Sequence, residues 1–248
     1  MRIARQLLLA GLTGLAALQA DAQTRSTAPA VTPAGKAIYA RECAACHGVK
    51  GDGDGPGAHI VNPAPRDFTL NVFKFRTTPS GQPPTDADLF KIITDGVAGT
   101  AMPSFRELPE SERWSLAAVV KQFAAIGVRA KPIAIPAEPQ ATAALLEQGK
   151  TVYGALKCAN CHGTEGRGDG PSALTLKDDA KQRVWAPSLT AGAFKSGRDP
   201  KALYARIATG LDGTPMPSYA AEAKPEEIWA LVHFIQSLSK TPAREKRN

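Results

Sequence analysis

The pentapeptide "CAACH" at residues 43–47 returns as "CANCH" at 158–162, and the two copies hold all four cysteines of the chain. Working outward, "GKAIYARECAACHG" at 35–48 matches "GKTVYGALKCANCHG" at 149–163. "GDGP" at 53–56 returns at 168–171, and "ITDG" at 93–96 parallels "IATG" at 207–210. "GTAMPSF" at 99–105 parallels "GTPMPSY" at 213–219. "ERWSLAAVVKQF" at 112–123 then parallels "EIWALVHFIQSL" at 227–238. The order is the same in both copies and the anchors stay 114 or 115 positions apart. A fixed offset over this many anchors means two tandem copies of one unit.

The chain opens with Arg2 and Arg5, an apolar run from Leu7 to Leu18, and Ala20-Asp21-Ala22. That order is a secretory signal, 1–22, with cleavage expected after Ala22. An uncleaved anchor is the alternative, although the run is shorter than the roughly 20 residues that span a bilayer. The first unit is expected over 31–128, a proline-rich linker over 129–141 and the second unit over 142–240, with a basic flexible tail at 241–248. The linker contains "RAKPIAIPAEP", whose prolines favour an extended, semi-rigid path. Residues 31–130 carry 11 Lys and Arg against 10 Asp and Glu, and residues 141–240 carry 12 against 10. Such balance leaves no concentrated basic stripe, so no nucleic-acid partner is expected.

Export makes disulfides the default reading of cysteines. The C-x-x-C-H spacing argues otherwise, because it is the pattern of c-type haem attachment. Two thiols one helical turn apart suit addition to the two vinyl groups of a haem, and the next residue, His, then falls under the ring. Cys43, Cys46, Cys158 and Cys161 are the candidate attachment residues for two covalent haem c groups. His47 and His162 are the candidate proximal ligands. A redox-active disulfide needs neither the following His nor the repeat, and a zinc site would have to pool ligands from both units. The chain has three Met, one of them Met1. Met102 lies 55 residues after His47, and Met216 lies 54 after His162. A core Met would sit on a helix face; these two sit between Gly-Thr and Pro. They are the candidate second axial ligands, soft thioethers that raise a haem potential.

Each unit reads as a helix running into the Cys segment, a long Gly- and Pro-rich stretch, a helix at Asp86–Thr94 (Pro200–Thr209), the Met turn, and a last helix at Glu110–Ala125 (Pro225–Leu238). Loops this long imply something to wrap. "GDGDG" at 51–55 reads as a turn toward the cofactor rather than a calcium loop, since an EF-hand wants a Glu where Pro63 stands. Tyr39 and Tyr153 read as packing residues. Trp114 and Trp229 are expected to pack on the first helix of their unit. Phe73, Phe75, Phe105, Phe194 and Tyr219 are expected in the pocket or core. Arg76 and Arg198 are candidates for haem propionates, with solvated arginine as the alternative. His59 and His233 have no matching histidine in the other copy and read as ordinary surface or satisfied side chains.

With these residues in view, the chain resembles class I cytochrome c in tandem dihaem form, over about 35–125 and 149–239. The resemblance rests on the CxxCH and late-Met pairs together with "GDGDGP", "PRDFT" and "FKFR". It implies an all-α fold of two tandem domains, each a few helices wrapped around a covalent haem with long loops. The first and last helices, Gly35–Ala45 with Glu112–Phe123 and Gly149–Asn160 with Glu227–Leu238, should cross beside the haem. The segment Pro56–Asp88 is longer than a minimal module needs and is expected to form a flap or contact surface. The function implied is single-electron transfer between redox protein partners in the periplasm. The alternatives are a dihaem enzyme such as a peroxidase, with His59 near a switchable iron, and a fixed subunit of a larger oxidoreductase.

Overall fold

A computed structural model describes residues 30–239 except residue 193. The expected signal segment 1–22, the tail 241–248 and residue 240 lie outside the described residues. The described chain is built of helices, with an isolated bridge between Lys177 and Arg183 as its β-type pairing. This is the all-α fold expected from the sequence.

The first unit contains α1 (Pro33–Glu42), α2 (Ala44–His47), α3 (Asp86–Asp95) and α4 (Glu110–Phe123). The second contains α5 (Ala143–Ala155), α6 (Ala159–His162), α7 (Pro200–Thr209) and α8 (Pro225–Leu238). Local chemistry sets the starts. Thr32 caps α1 by accepting from Gly35 N at 2.9 Å, with Pro33 in the first turn. Thr85 and Asp88 form a reciprocal capping box at α3. Asp199 caps α7, and Pro200 and Pro225 open α7 and α8. α4 ends at Phe123, two residues before the expected end, and Ala125 takes a positive φ of 51°.

In each unit the first and last helices pack on each other, α1 on α4 and α5 on α8, while α3 and α7 pack on α4 and α8. The crossings are close. A Cβ on Gly35 would stand 2.9 Å from Ser115 Cβ, and one on Gly149 would collide with the backbone of Ala230. The recurrent Gly of "GK" is therefore a spacer that lets two helices touch. The tryptophans do different work from that expected. Trp114 stacks on Phe90 of α3 at 4.0 Å, and Trp229 tilts against Tyr204 of α7 at 4.9 Å. The residue after each Trp lies at the crossing, so the indole points to the third helix instead.

Two apolar cores result. One joins Ile38, Tyr39, Leu89, Ile93, Leu116 and Val119; the other joins Val152, Tyr153, Leu203, Ile207, Leu231 and Val232. The segment 129–141 holds no helix, but it is not a free spacer. Ile133 N donates to Thr77 O at 2.8 Å, while Ile133 and Ile135 pack against the second core.

The long first-unit segment forms the contact with the second unit. Arg76, 1% exposed, donates to Asp212 at 2.6 Å, to Thr209 O at 2.9 Å and to Phe73 O at 3.2 Å. The solvated reading of Arg76 does not hold, because protein acceptors from both units engage its buried guanidinium. Arg206 of α7 reaches back to Lys74 O at 2.6 Å with its guanidinium over Phe75 at 5.3 Å. Arg198 is a surface residue bonded to Ser239 Oγ at 3.1 Å.

The crossing gives a paired test. Gly149→Ala should cost about 1–3 kcal/mol through overpacking. Gly154→Ala, in the same helix with open space around it, should be neutral or stabilise by up to about 1 kcal/mol. Equilibrium urea unfolding of the two variants checks the contrast.

Candidate functional site

Each candidate attachment segment is a four-residue helix whose carbonyls are all bonded by the chain that follows. In α2, Ala44 O accepts from Gly48 N at 3.0 Å, Ala45 O from Gly57 N at 2.8 Å, Cys46 O from Gly55 N at 3.2 Å and His47 O from Gly53 N at 2.9 Å. In α6, Ala159, Asn160, Cys161 and His162 accept from Gly163, Ser172, Gly170 and Gly168 at 2.9, 2.8, 3.3 and 2.7 Å. This is the role of the "GDGDGP" segment and its repeat: the backbone folds back onto the Cys-His turn. A Cβ on Gly55 would stand 2.5 Å from both Ala44 O and Ala45 O, so only glycine passes there.

The histidines are held alike. His47 Nδ1 bonds Arg66 O at 3.0 Å, and its ring stacks on Phe68 at 4.5 Å. His162 Nδ1 bonds Pro187 O at 3.2 Å. A carbonyl can only accept, so Nδ1 carries the hydrogen and Nε2 is left as a free lone pair. Burial pushes both imidazoles below their usual pKa, which favours the neutral ring a metal needs. Tyr39 and Tyr153 tie the preceding helix to this turn, donating to Gly48 O at 2.9 Å and Gly163 O at 2.7 Å.

All four cysteines are free thiols, half-buried. Burial, with Glu42 and Cys46 adding, pushes Cys43 up to about 11, and burial does the same to Cys158. A thiol–disulfide catalyst needs a stabilised thiolate, and Cys43 and Cys158 are shifted the other way.

The methionine loops are built from one plan. Val97 N donates to Met102 O at 3.1 Å and Leu211 N to Met216 O at 3.0 Å, closing six-residue loops. Thr100 Oγ1 donates to Val97 O at 2.8 Å and accepts from Met102 N at 3.1 Å. Thr214 Oγ1 does the same with Leu211 O at 2.7 Å and Met216 N at 3.3 Å. Ser104 Oγ then reaches Thr94 O at 2.7 Å, and Ser218 Oγ reaches Ala208 O at 2.6 Å, pinning each loop to the helix before it. Phe105 packs on the core that also receives Cys43, and Tyr219 on the core that receives Cys158. Tyr219 is pushed up to about 12 by burial, with Cys158, Glu222 and Cys161 adding. Phe105 and Tyr219, three residues past each Met, thus join the core that the first Cys of the same unit joins.

Thr100, Thr214, Ser104 and Ser218, and the carbonyls of Arg66 and Pro187, were not singled out from the sequence. The Thr and Ser recur in both quoted Met segments, and that recurrence was the available signal. A backbone acceptor leaves none. His59 lies exposed on a single 3-10 turn, Ala58–Ile60, and His233 is satisfied by Pro139 O at 3.2 Å.

A helical pair of units, each with a Cys-x-x-Cys-His turn, two free thiols and a tethered imidazole, defines a tandem haem-binding protein. Comparison places it more closely. Residues 146–239 match the cytochrome c family, and residues 30–119 match the family described as cytochrome c oxidase, cbb3-type, subunit III. The chain is 27% identical over 204 residues to the cbb3-type cytochrome c oxidase subunit CcoP of Azospirillum brasilense, covering 82% of this chain and 61% of that protein. It is 26% identical over 208 residues to subunit FixP of the same oxidase type from Sinorhizobium medicae, covering 83% and 60%. The chain therefore spans about three fifths of the length of these curated relatives. A chain in the solved reducing HAO-like protein complex of Kuenenia stuttgartiensis superposes with a TM-score of 0.82 at 41% identity, covering 85% of this chain and 97% of that one. The chain belongs to the cytochrome c family, in tandem dihaem form. It is an electron-transfer protein with two covalently bound haem c groups, and the paired free thiols and the open Nε2 atoms fit such groups.

The loop plan makes a prediction. Thr214→Val keeps the side-chain shape and removes both hydroxyl bonds, so it should cost about 1–3 kcal/mol at roughly 0.5–1.5 per bond. Thr100→Val should match it, and urea midpoints at unchanged slope check both.

Proposed function

We propose that this chain relays single electrons in the periplasm as a dihaem subunit of an exported oxidoreductase assembly. The observation that carries the reading is the duplicated site, in which each His is tethered through Nδ1 and each Met sits in a separately braced loop of the same unit. Cys43 and Cys46 would hold the first haem by thioether bonds, and Cys158 and Cys161 the second. His47 and Met102 would be the axial pair of the first iron, and His162 and Met216 that of the second. When bound, each haem supplies a one-electron iron(III)/iron(II) couple.

The chain's own part is to keep the ligands still. The carbonyls of Arg66 and Pro187 orient the imidazoles. The Thr and Ser hydroxyls fix the thioether loops, so little rearrangement accompanies a change of charge. The apolar packing of Phe68, Phe73, Phe105 and Tyr219 would exclude water from the pockets, which with the thioether raises the potential.

The subunit reading is favoured over a free carrier by the relatives, whose names are those of oxidase subunits and of a multi-protein complex. The opening segment 1–22 supports export, and among the described residues no helix is long and apolar enough to cross a membrane.

Redox-poised optical and magnetic circular dichroism spectra should show two haems with sulfur ligation. Met102→Ala and Met216→Ala should each remove the sulfur signature of one haem. Either substitution leaving both signatures in place overturns the ligand assignment. In a native envelope extract the protein should migrate within a larger haem-containing assembly; migration as an isolated chain overturns the subunit reading.

A further inference from the structure

The Met216 loop is gripped from outside its own unit. Asp212 is the second residue of the loop that Leu211 N closes onto Met216 O. Its carboxylate accepts from three donors, and all three belong to the first unit. They are Arg76 Nη2 at 2.6 Å, Ser80 Oγ at 2.7 Å and Gly81 N at 2.9 Å. Arg76 Nη2 also donates to Thr209 O at 2.9 Å, at the last residue of α7, so one guanidinium spans the helix end and the loop. Val72 of the first unit lies against Gly213, 3.1 Å from where a Cβ would stand.

The first loop lacks this grip. Its internal bonds copy those of the second, but the position matching Asp212 is Ala98, which has no carboxylate. Two loops of the same internal design thus differ in external bracing.

We infer that Asp212 is a positioning residue for Met216: the first unit, through Arg76, Ser80 and Gly81, braces the sulfur ligand of the second haem. The inference rests on Met216 being an axial ligand, as proposed above. An external ligand can occupy that iron only when the loop has swung away. Its apparent affinity therefore falls with the fraction of molecules whose loop is open. A brace on the loop lowers that fraction without touching the iron.

The test is an imidazole titration of the full-length ferric dihaem protein, with the two binding phases assigned through Met102→Ala and Met216→Ala. In the unsubstituted protein the Met216 haem should bind imidazole more weakly than the Met102 haem. Asp212→Ala should raise affinity at the Met216 haem by about tenfold, the factor that about 1.4 kcal/mol of lost bracing gives, and leave the Met102 haem unchanged. Asp212→Asn and Ser80→Ala are smaller steps that keep the packing, and should shift the same phase in the same direction. A residue that only held the units together would move the urea midpoint and leave both phases alone. Unchanged affinity at the Met216 haem, or equal changes at both haems, overturns the inference. If Met216→Ala leaves both sulfur signatures in place, the ligand assignment fails and this inference falls with it. A clean Met216→Ala result with a silent Asp212→Ala overturns the brace alone.

Discussion

A helix of four residues cannot satisfy its own carbonyls, and the two Cys-x-x-Cys-His turns are helices of that length. Much else in each unit follows from this constraint. The chain after the histidine must return at once and offer four amide hydrogens in order, which it does through Gly48, Gly53, Gly55 and Gly57 and their second-unit counterparts. Returning so closely forbids a side chain at Gly55. It also brings the next segment beside the histidine, where Phe68 N bonds Gly51 O at 2.7 Å and Arg66 O meets His47 Nδ1. The imidazole tether is thus a consequence of finishing a short helix. The long loop that looked wasteful in sequence is the means of presenting three side chains on one turn.

The contact between the units carries a different kind of energy. Arg76 is almost wholly buried, and burying a guanidinium is unfavourable unless charge and hydrogen bonds compensate. Asp212 supplies the charge, and carbonyls from both units supply the rest. Burial, with the neighbouring Arg76 adding, pushes Arg206 down to about 10. Such an arrangement contributes little net stability compared with an apolar contact of the same area, but it admits few other orientations. Direction, more than strength, is what it provides. The strap at Ile133 adds apolar packing to it without a charge.

The helices were legible in sequence because local signals carry them, and the candidate ligands stood out for a different reason. Pro200 and Pro225 open helices at the positions read from the sequence, and Thr85 with Asp88 closes a capping box within four residues. The cysteines and methionines stood out because the repeat doubled each of them. What was missed lay in distant pairings and in the backbone. Arg76 and Asp212 are 136 positions apart, and the first copy has Ala98 where the second has Asp212, so neither a spacing rule nor the repeat joins them. The acceptors for the histidines are peptide carbonyls, identical at every residue type. Trp114 and Trp229 recurred as expected, yet the helix face they occupy depends on a one-residue phase that the amphipathic pattern did not settle.

The difference between Asp212 and Ala98 also gives the pair a head and a tail. The first unit brings a segment that grips and a loop that offers no carboxylate; the second brings the loop that is gripped. Exchanging the order of the two copies would set the wrong surfaces against each other. Nor could a third copy of the first unit be appended and held by the same means, since its ungripped loop has nothing to offer. The duplication has become a closed couple, unlike repeats that stack without limit.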